Sequence, residues 1–412
     1  MKQIKITFIG DIMCDPVWQY NESFFKELEK TDYTKFFDDS VKNYFKESDL
    51  VVGNLETPIT TKYYEESENP SECGDCYAPR FSAPQSFAEA IKNAGVNLVS
   101  TANNHCLDQG INGLVETMQI LNNIDLKYVG TNFDPDTKNT GVIMPIGHKK
   151  IGFLSYTYGT NALCNGIYLK EKERYVNLYQ QQELHNKLYR KIYKSNFAKL
   201  FRKFISRAIR KLKIPQICNR LKIPAPNIPK TTTVYDWQEK KTSWHKKIIL
   251  DDIKNLKNNG ADYLVMLLHA GGQSNDKPLS SARKICNSFL NNGVDAVITN
   301  HEHVVQNYEQ KKNKIITYCL GNFVSSMAKN SELYAYSIIF NIYFVDNIEI
   351  KYSFSIAKTI LKNDVPCVHL LFDLIQNCNV ESEKAKLIEN NAKFYKRFTG
   401  KDVVELQKEY FL

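Results

Sequence analysis

The chain has 412 residues, 43% apolar and 24% charged, with 18 Gly and 13 Pro. That composition excludes a disordered, collagen-like or low-complexity chain and leaves enough apolar side chains for a large core in one or more domains. The net charge of +9 is concentrated: residues 186–222 hold 13 of the 54 basic residues and no acid, so the rest of the chain, with all 45 acidic residues, is mildly acidic.

Residues 4–9 alternate apolar and polar and run into Gly10-Asp11, which predicts a strand entering a loop. Helical spacing follows over 24–45. A second strand over 49–53 ends in Asn54-Leu-Glu56. A helix over 86–94 is closed by Gly95, and a strand over 96–100 ends in Thr101-Ala-Asn-Asn-His105. A helix over 113–121 and a short strand over 127–130 complete this half. The pattern then repeats. A helix over 251–257 precedes an apolar strand over 263–268 that ends in His269. A helix over 280–291 precedes a strand over 295–298 that ends in Asn300-His-Glu-His303. Short apolar strands alternating with helices imply an α/β fold with a sheet buried on both faces, and open α/β sheets place their sites at the C-terminal strand ends. Beyond residue 330, strands are predicted over 334–344 and 348–356 and surface helices over 380–410. The expected organisation is a domain over 1–330, interrupted by a basic helical insertion and Pro-rich connector over 180–247, with 331–412 completing or capping it.

Five polar clusters sit at predicted strand ends, and four of the eight His fall in them. Asp11, Glu56, Asn104, His105, His269, His301 and His303 together offer carboxylate, amide and imidazole donors, the set for one or two divalent ions of the Mn, Zn or Fe class. A bridging carboxylate can hold two ions about 3.5–4 Å apart.

The segments Gly10-Asp11-Ile-Met13, Asn54-Leu-Glu-Thr-Pro58, Ala102-Asn-Asn-His105-Cys-Leu-Asp108-Gln-Gly110, Ser155-Tyr-Thr-Tyr-Gly-Thr-Asn161, Leu268-His-Ala-Gly271, Asn300-His-Glu-His303-Val304 and Tyr318-Cys-Leu-Gly-Asn-Phe323 occur in this order. They resemble the serial motifs of CapA-type poly-γ-glutamate capsule biosynthesis proteins, in the calcineurin-like metallophosphoesterase superfamily, over about residues 4–325. The resemblance implies a layered sandwich with helices flanking central sheets. It also implies roles: Asp11 and His303 on one ion, Glu56 as the bridge, Asn104, His269 and His301 on the second ion, and His105 as the acid that serves the leaving group. Three departures stand out. Met13 replaces the His of the superfamily's Asp-x-His, as in CapA proteins generally. Ala270-Gly-Gly-Gln273 replaces Trp-Gly-x-Glu, and Thr299-Asn-His-Glu302-His303 replaces Gly-x-His-Pro-His.

The implied function is hydrolysis of a phosphoester or γ-glutamyl amide in making, releasing or trimming an anionic surface polymer. The alternatives are a non-catalytic assembly subunit with a degenerate cleft and a stand-alone phosphoesterase for small molecules. In the basic segment, Phe197, Phe201, Phe204, Ile205, Ala208 and Leu212 share one helical face, with Lys199, Arg202, Lys203, Arg210 and Lys211 on the remainder. Such a helix suits an anionic membrane surface or a polyanionic partner, or else packs its apolar face on the main domain. No motif points to nucleic acid. The ten Cys do not form a disulfide framework, and the Cys73–Cys76 pair reads as an incidental loop feature. With no apolar run of membrane-spanning length and no signal peptide, the expected location is cytoplasmic, with peripheral contact at the inner membrane face.

Overall fold

The computed structural model describes residues 3–15, 22–64, 80–138, 140–170, 173–180, 182, 243–345, 349–403 and 405–412. The basic segment 186–222, the Pro-rich stretch and the Cys73–Cys76 pair lie outside them.

The first half runs β1 (Ile4–Ile12), α1 (Glu22–Leu28), α2 (Asp39–Lys46), β2 (Leu50–Leu55), α3 (Gln85–Asn93), β3 (Leu98–Ser100), α4 (Gly110–Asn123) and β4 (Lys127–Val129). Next come β5 (Val142–Ile146), β6 (Lys149–Thr157), α5 (Ala162–Asn165), α6 (Ser243–Asn258), β7 (Tyr263–His269), α7 (Ser280–Asn291) and β8 (Ala296–Asn300). The remainder is β9 (Tyr308–Lys311), β10 (Lys314–Thr317), β11 (Asn322–Val324), β12 (Tyr336–Phe344), β13 (Ile350–Lys362), β14 (Val365–Leu370), α8 (Leu371–Asn377), α9 (Glu381–Thr399) and β15 (Tyr410–Phe411).

The strands divide between two sheets, where the sequence pattern suggested one. The first has the order β14-β13-β12-β1-β2-β3-β4, with β11 also on β1 and β15 on β13. The second has the order β5-β6-β7-β8-β10-β9. Within them β1, β2, β3 and β4 are mutually parallel, as are β6, β7, β8 and β10. Alternation of side chains explains the layering. In β7, Tyr263, Val265 and Leu267 face the first sheet with Ile4, Ile6 and Phe8, while Leu264, Met266 and Leu268 face α6 and α7. Both faces are apolar, so the strand reads as an unbroken apolar run. The opposite face of the first sheet packs on α2, α3 and α4 through Val41, Phe45, Phe87, Ile91 and Leu121. The result is a four-layer α/β/β/α sandwich. Residues after 330 extend the first sheet, since β12 pairs antiparallel with β1 from Ile4↔Phe344 to Phe8↔Phe340.

Three local expectations need correction. The helical span over 24–45 is broken into α1, a 3-10 turn at Tyr33–Phe36 and α2. Asp32 and Asp38 cause the breaks: their carboxylates accept from the amides of Thr34 and Ser40 and start a new helical turn each time. The second late strand is longer than expected and turns back at Asn363 and Asp364, both at positive φ (53° and 62°), in a two-residue hairpin loop. The surface helix ends at Thr399 with Gly400 left-handed behind it, and Tyr410–Phe411 returns to the sheet.

Candidate metal centre

The parallel strands of both sheets end at the same place. Asp11 lies near the end of β1, Asn54 and Glu56 at and beyond the end of β2, and His269 closes β7. His301 and His303 follow β8 directly, and Asn104 and His105 sit in the loop after β3. All seven sequence-predicted residues are at most 3% exposed. Two loop residues adopt a strained backbone to get there: His301 has φ 127° and His303 φ 62°. Non-glycine residues in this region cost on the order of 1–3 kcal/mol each, and such strain clusters at functional sites. In β1 the backbone of Gly10 lies so close to Gly321 that a Cβ would stand 1.8 Å from the Gly321 carbonyl oxygen. That approach lets β11 bring Asn322 beside Asp11.

Two triads of donor atoms form, and Glu56 belongs to both. Asp11, Glu56 and His303 make one; Glu56, His269 and His301 make the other, with donor atoms in each within 4.8 Å of one another. In the first, His303 Nδ1 is 3.2 Å from Asp11 Oδ2 and 2.9 Å from Asn322 Oδ1. Both are acceptors, so Nδ1 carries a proton. In the second, Asn104 Oδ1 (2.7 Å), His301 Nδ1 (3.1 Å) and Glu56 Oε1 (3.4 Å) gather round His269 Nε2. Glu56 Oε1 has no hydrogen-bond partner. Asn54 stands between the triads: its Nδ2 donates to Asp11 Oδ1 (2.8 Å) and approaches His269 Nδ1 (3.3 Å) and Glu56 Oε2 (3.5 Å). Without an ion, His269 satisfies both neighbours in one tautomer, with Nε2–H on Asn104 and Nδ1 accepting from Asn54; an ion bound at Nε2 would displace that proton.

The electrostatics follow from burying two carboxyls and three imidazoles together. Burial, and then the Asp11 charge, hold Glu56 well above the usual carboxylate range. Burial would also raise Asp11, but the His303 and Asn54 bonds keep it below its ordinary value. Burial would lower His303, yet the Glu56 and Asp11 carboxyls raise it to about 9. Desolvation drops His269 to about 3 and His301 well below its usual value. Two neutral imidazoles, an amide oxygen and two carboxyls are the donors a divalent cation of the Zn, Mn or Fe class takes, and the unpaired Glu56 oxygen lies where both triads meet. The residues present therefore fit one or two such ions.

His105 stands beside this cluster, close enough for its charge to bear on Glu56 and His301. Asp108 holds its Nδ1 at 2.6 Å and is itself fixed by the Phe81 amide at 2.7 Å. The Phe81 ring packs on the imidazole at 4.3 Å between centroids. Further support comes from Asn103, which donates to the Leu55 carbonyl (2.7 Å) and accepts from the His105 amide (3.1 Å).

The family model described as bacterial capsule synthesis protein PGA_cap matches residues 5–327, which contain every one of these side chains. The chain belongs to the PGA_cap family. Its four-layer sandwich has the expected arrangement of central sheets flanked by helices. It is 24% identical over 328 residues to "Capsule biosynthesis protein CapA" of Bacillus anthracis, covering 78% of this chain and 60% of that protein. It is 21% identical over 323 residues to "PGA biosynthesis protein CapA" of Bacillus subtilis (strain 168), covering 78% of this chain and 63% of that protein. The chain thus spans less than two thirds of the length of these curated relatives. The crystal structure of TT1561 of Thermus thermophilus aligns with 85% of this chain and 98% of its own at 7% identity and a TM-score of 0.32, a distant likeness.

Three residues of the PGA_cap site were not assigned from sequence. Asn54 joins the triads, Asp108 orients His105 and Asn322 orients His303. Each lay inside a quoted motif, but nothing local distinguishes an orienting Asn or Asp from a turn residue. Glu302, where the family has Pro, packs its carboxyl against Gly271: a Cβ there would meet Oε1 at 1.8 Å. Among the described residues no helix is long and apolar enough to cross a membrane.

Proposed function

We propose that this protein is a metal-dependent hydrolase that acts on an anionic capsule or cell-surface polymer, at a γ-glutamyl amide or phosphoester bond. One observation carries the reading: Glu56 is shared by two buried triads of nitrogen and oxygen donors at the convergent ends of the parallel strands of two sheets. The names of both curated relatives, which concern capsule or PGA biosynthesis, support the polymer class. Asp11, Glu56 and His303 would hold one ion, and Glu56, Asn104, His269 and His301 the other. Ions bound there supply Lewis acidity and lower the pKa of a water toward neutrality.

The chain's own groups do the rest. Asp108 fixes the His105 ring by its Nδ1, leaving Nε2 as the atom that hands a proton to the leaving group. Asn322 and Asp11 fix the His303 ring in the same way. The basic segment 186–222, outside the described residues, supplies positive charge for a polyanion or an anionic membrane at the cytoplasmic face.

The test is elemental analysis of protein purified without chelators, joined to hydrolysis assays on γ-glutamyl peptides and small phosphoesters. Stoichiometric metal, and turnover lost in His105→Ala and His301→Ala, are expected. A metal-free, inactive chain would replace this reading with a non-catalytic assembly subunit. Turnover of small phosphoesters alone would make it a stand-alone phosphoesterase.

A further inference from the structure

A second set of metal-ligand side chains lies on β14, the outermost strand of the first sheet and three places from β1 in its order. Cys367 and His369 are two apart, so both project from the same, half-exposed face of this edge strand. Asp38 meets them from the N-terminus of α2. The donor atoms of Asp38, Cys367 and His369 all lie within 4.8 Å of one another.

The geometry is held from both sides. The Asp38 amide donates to the Val368 carbonyl at 3.0 Å, and the Leu370 amide to Ser40 Oγ at 3.2 Å, which clamps the helix start to the strand. Asp38 uses Oδ1 to cap the helix, accepting from Ser40 N (2.9 Å) and Ser40 Oγ (2.6 Å). That leaves Oδ2 turned to His369 Nδ1 at 3.3 Å. Two donors bonded tetrahedrally at the ~2.0–2.1 Å typical of zinc sites sit about 3.3–3.4 Å apart, so this pair already spans one edge of such a shell. The side chains of His369 and Asp38 are 21% and 35% exposed, so a fourth position opens to water. A thiolate, an imidazole and a carboxylate make a mixed donor set that selects a borderline-soft cation over Mg2+ or Ca2+.

We infer that Asp38, Cys367 and His369 form a second divalent-metal site of the zinc class, separate from the central cluster and with three protein ligands and one open position. Loading deprotonates the thiol, and the proton goes to solvent.

Cobalt(II) is the probe, because a cobalt–thiolate bond gives near-ultraviolet charge-transfer absorbance and the central cluster contains no Cys. Titrating the full chain with Co2+ should develop that band to the intensity of one thiolate-bound ion per chain, and excess Zn2+ should bleach it. Cys367→Ser should abolish it. His369→Gln and Asp38→Asn should each weaken Co2+ binding at least tenfold; Asn caps helices as well as Asp, so Asp38→Asn keeps α2 intact. His301→Ala should leave the band unchanged, which separates this site from the proposed catalytic one. Absence of the band in the unmodified protein, or its survival in Cys367→Ser, overturns the inference.

Discussion

Glu56→Gln is the sharpest probe of the central site, because Glu56 alone belongs to both donor triads. Gln keeps the volume and removes the charge and one anionic oxygen that each ion would use. Without metal the change should be mild. Burial already disfavours the charged form of the Glu56 carboxyl, so exchange for a neutral amide of the same size should shift stability by less than about 1 kcal/mol. With metal the effect is large. Losing a shared anionic ligand should weaken each ion about 100-fold, or ~2.7 kcal/mol. At free Mn2+ or Zn2+ about 100 times the dissociation constant, binding stabilises the native chain by ~2.7 kcal/mol; a site weakened about 100-fold gains only ~0.4 kcal/mol at the same concentration. The assay is urea unfolding with and without the ion, paired with equilibrium dialysis to count ions. Glu56→Gln that still takes up the full complement of ions at unchanged affinity would refute the bridging role and the two-triad reading with it.

Other outcomes follow from the same structure. Gly10→Ala forces a methyl against the Gly321 carbonyl; it should destabilise by about 1–3 kcal/mol in urea unfolding and weaken metal uptake by displacing Asp11. His301→Gly should be more stable than His301→Ala by about 1 kcal/mol in the same assay, since only Gly relieves φ 127°; equal stabilities would remove strain from the account of this loop. Asp108→Asn should lower kcat with little change in KM and alter the alkaline limb of the pH–rate profile, because it replaces the charged acceptor of His105 Nδ1 with a neutral amide oxygen. Glu409 sets a pH dependence. Burial would raise its carboxyl, but bonds from Ser353, Tyr343 and Lys5 hold it below its ordinary value. A depressed folded pKa means stabilisation that is full above the unfolded value, shrinks as pH falls toward the folded pKa and is gone below it. Glu409→Gln should therefore cost about 1–2 kcal/mol at pH ~7 and nothing in strong acid, read by unfolding at a series of pH values. A constant difference across that range would contradict it.

What could be read from the chain alone was what short-range physics writes into it. Apolar runs such as 263–268 and a helix closed by Gly95 follow from local periodicity and local backbone freedom, and those elements appear where the pattern put them. Polar residues at strand ends were equally legible, because apolar strands make any His or Asp after them conspicuous. The broken helix at Asp32 and Asp38 was legible in principle, since both are capping residues, but helical spacing masks a cap when apolar residues continue on either side.

Tertiary structure decided the rest. Whether β1 and β7 share a sheet or face each other is a matter of pairing between segments far apart in the chain, and alternation is the same in either case. The sharing of Glu56 between two triads, the Asn54 amide between them, and the meeting of Asp38 with Cys367 and His369 all join distant residues. No sequence window contains those contacts. They exist because the parallel strands of two sheets end at one place and one edge strand is clamped to one helix start, which only the packed core sets.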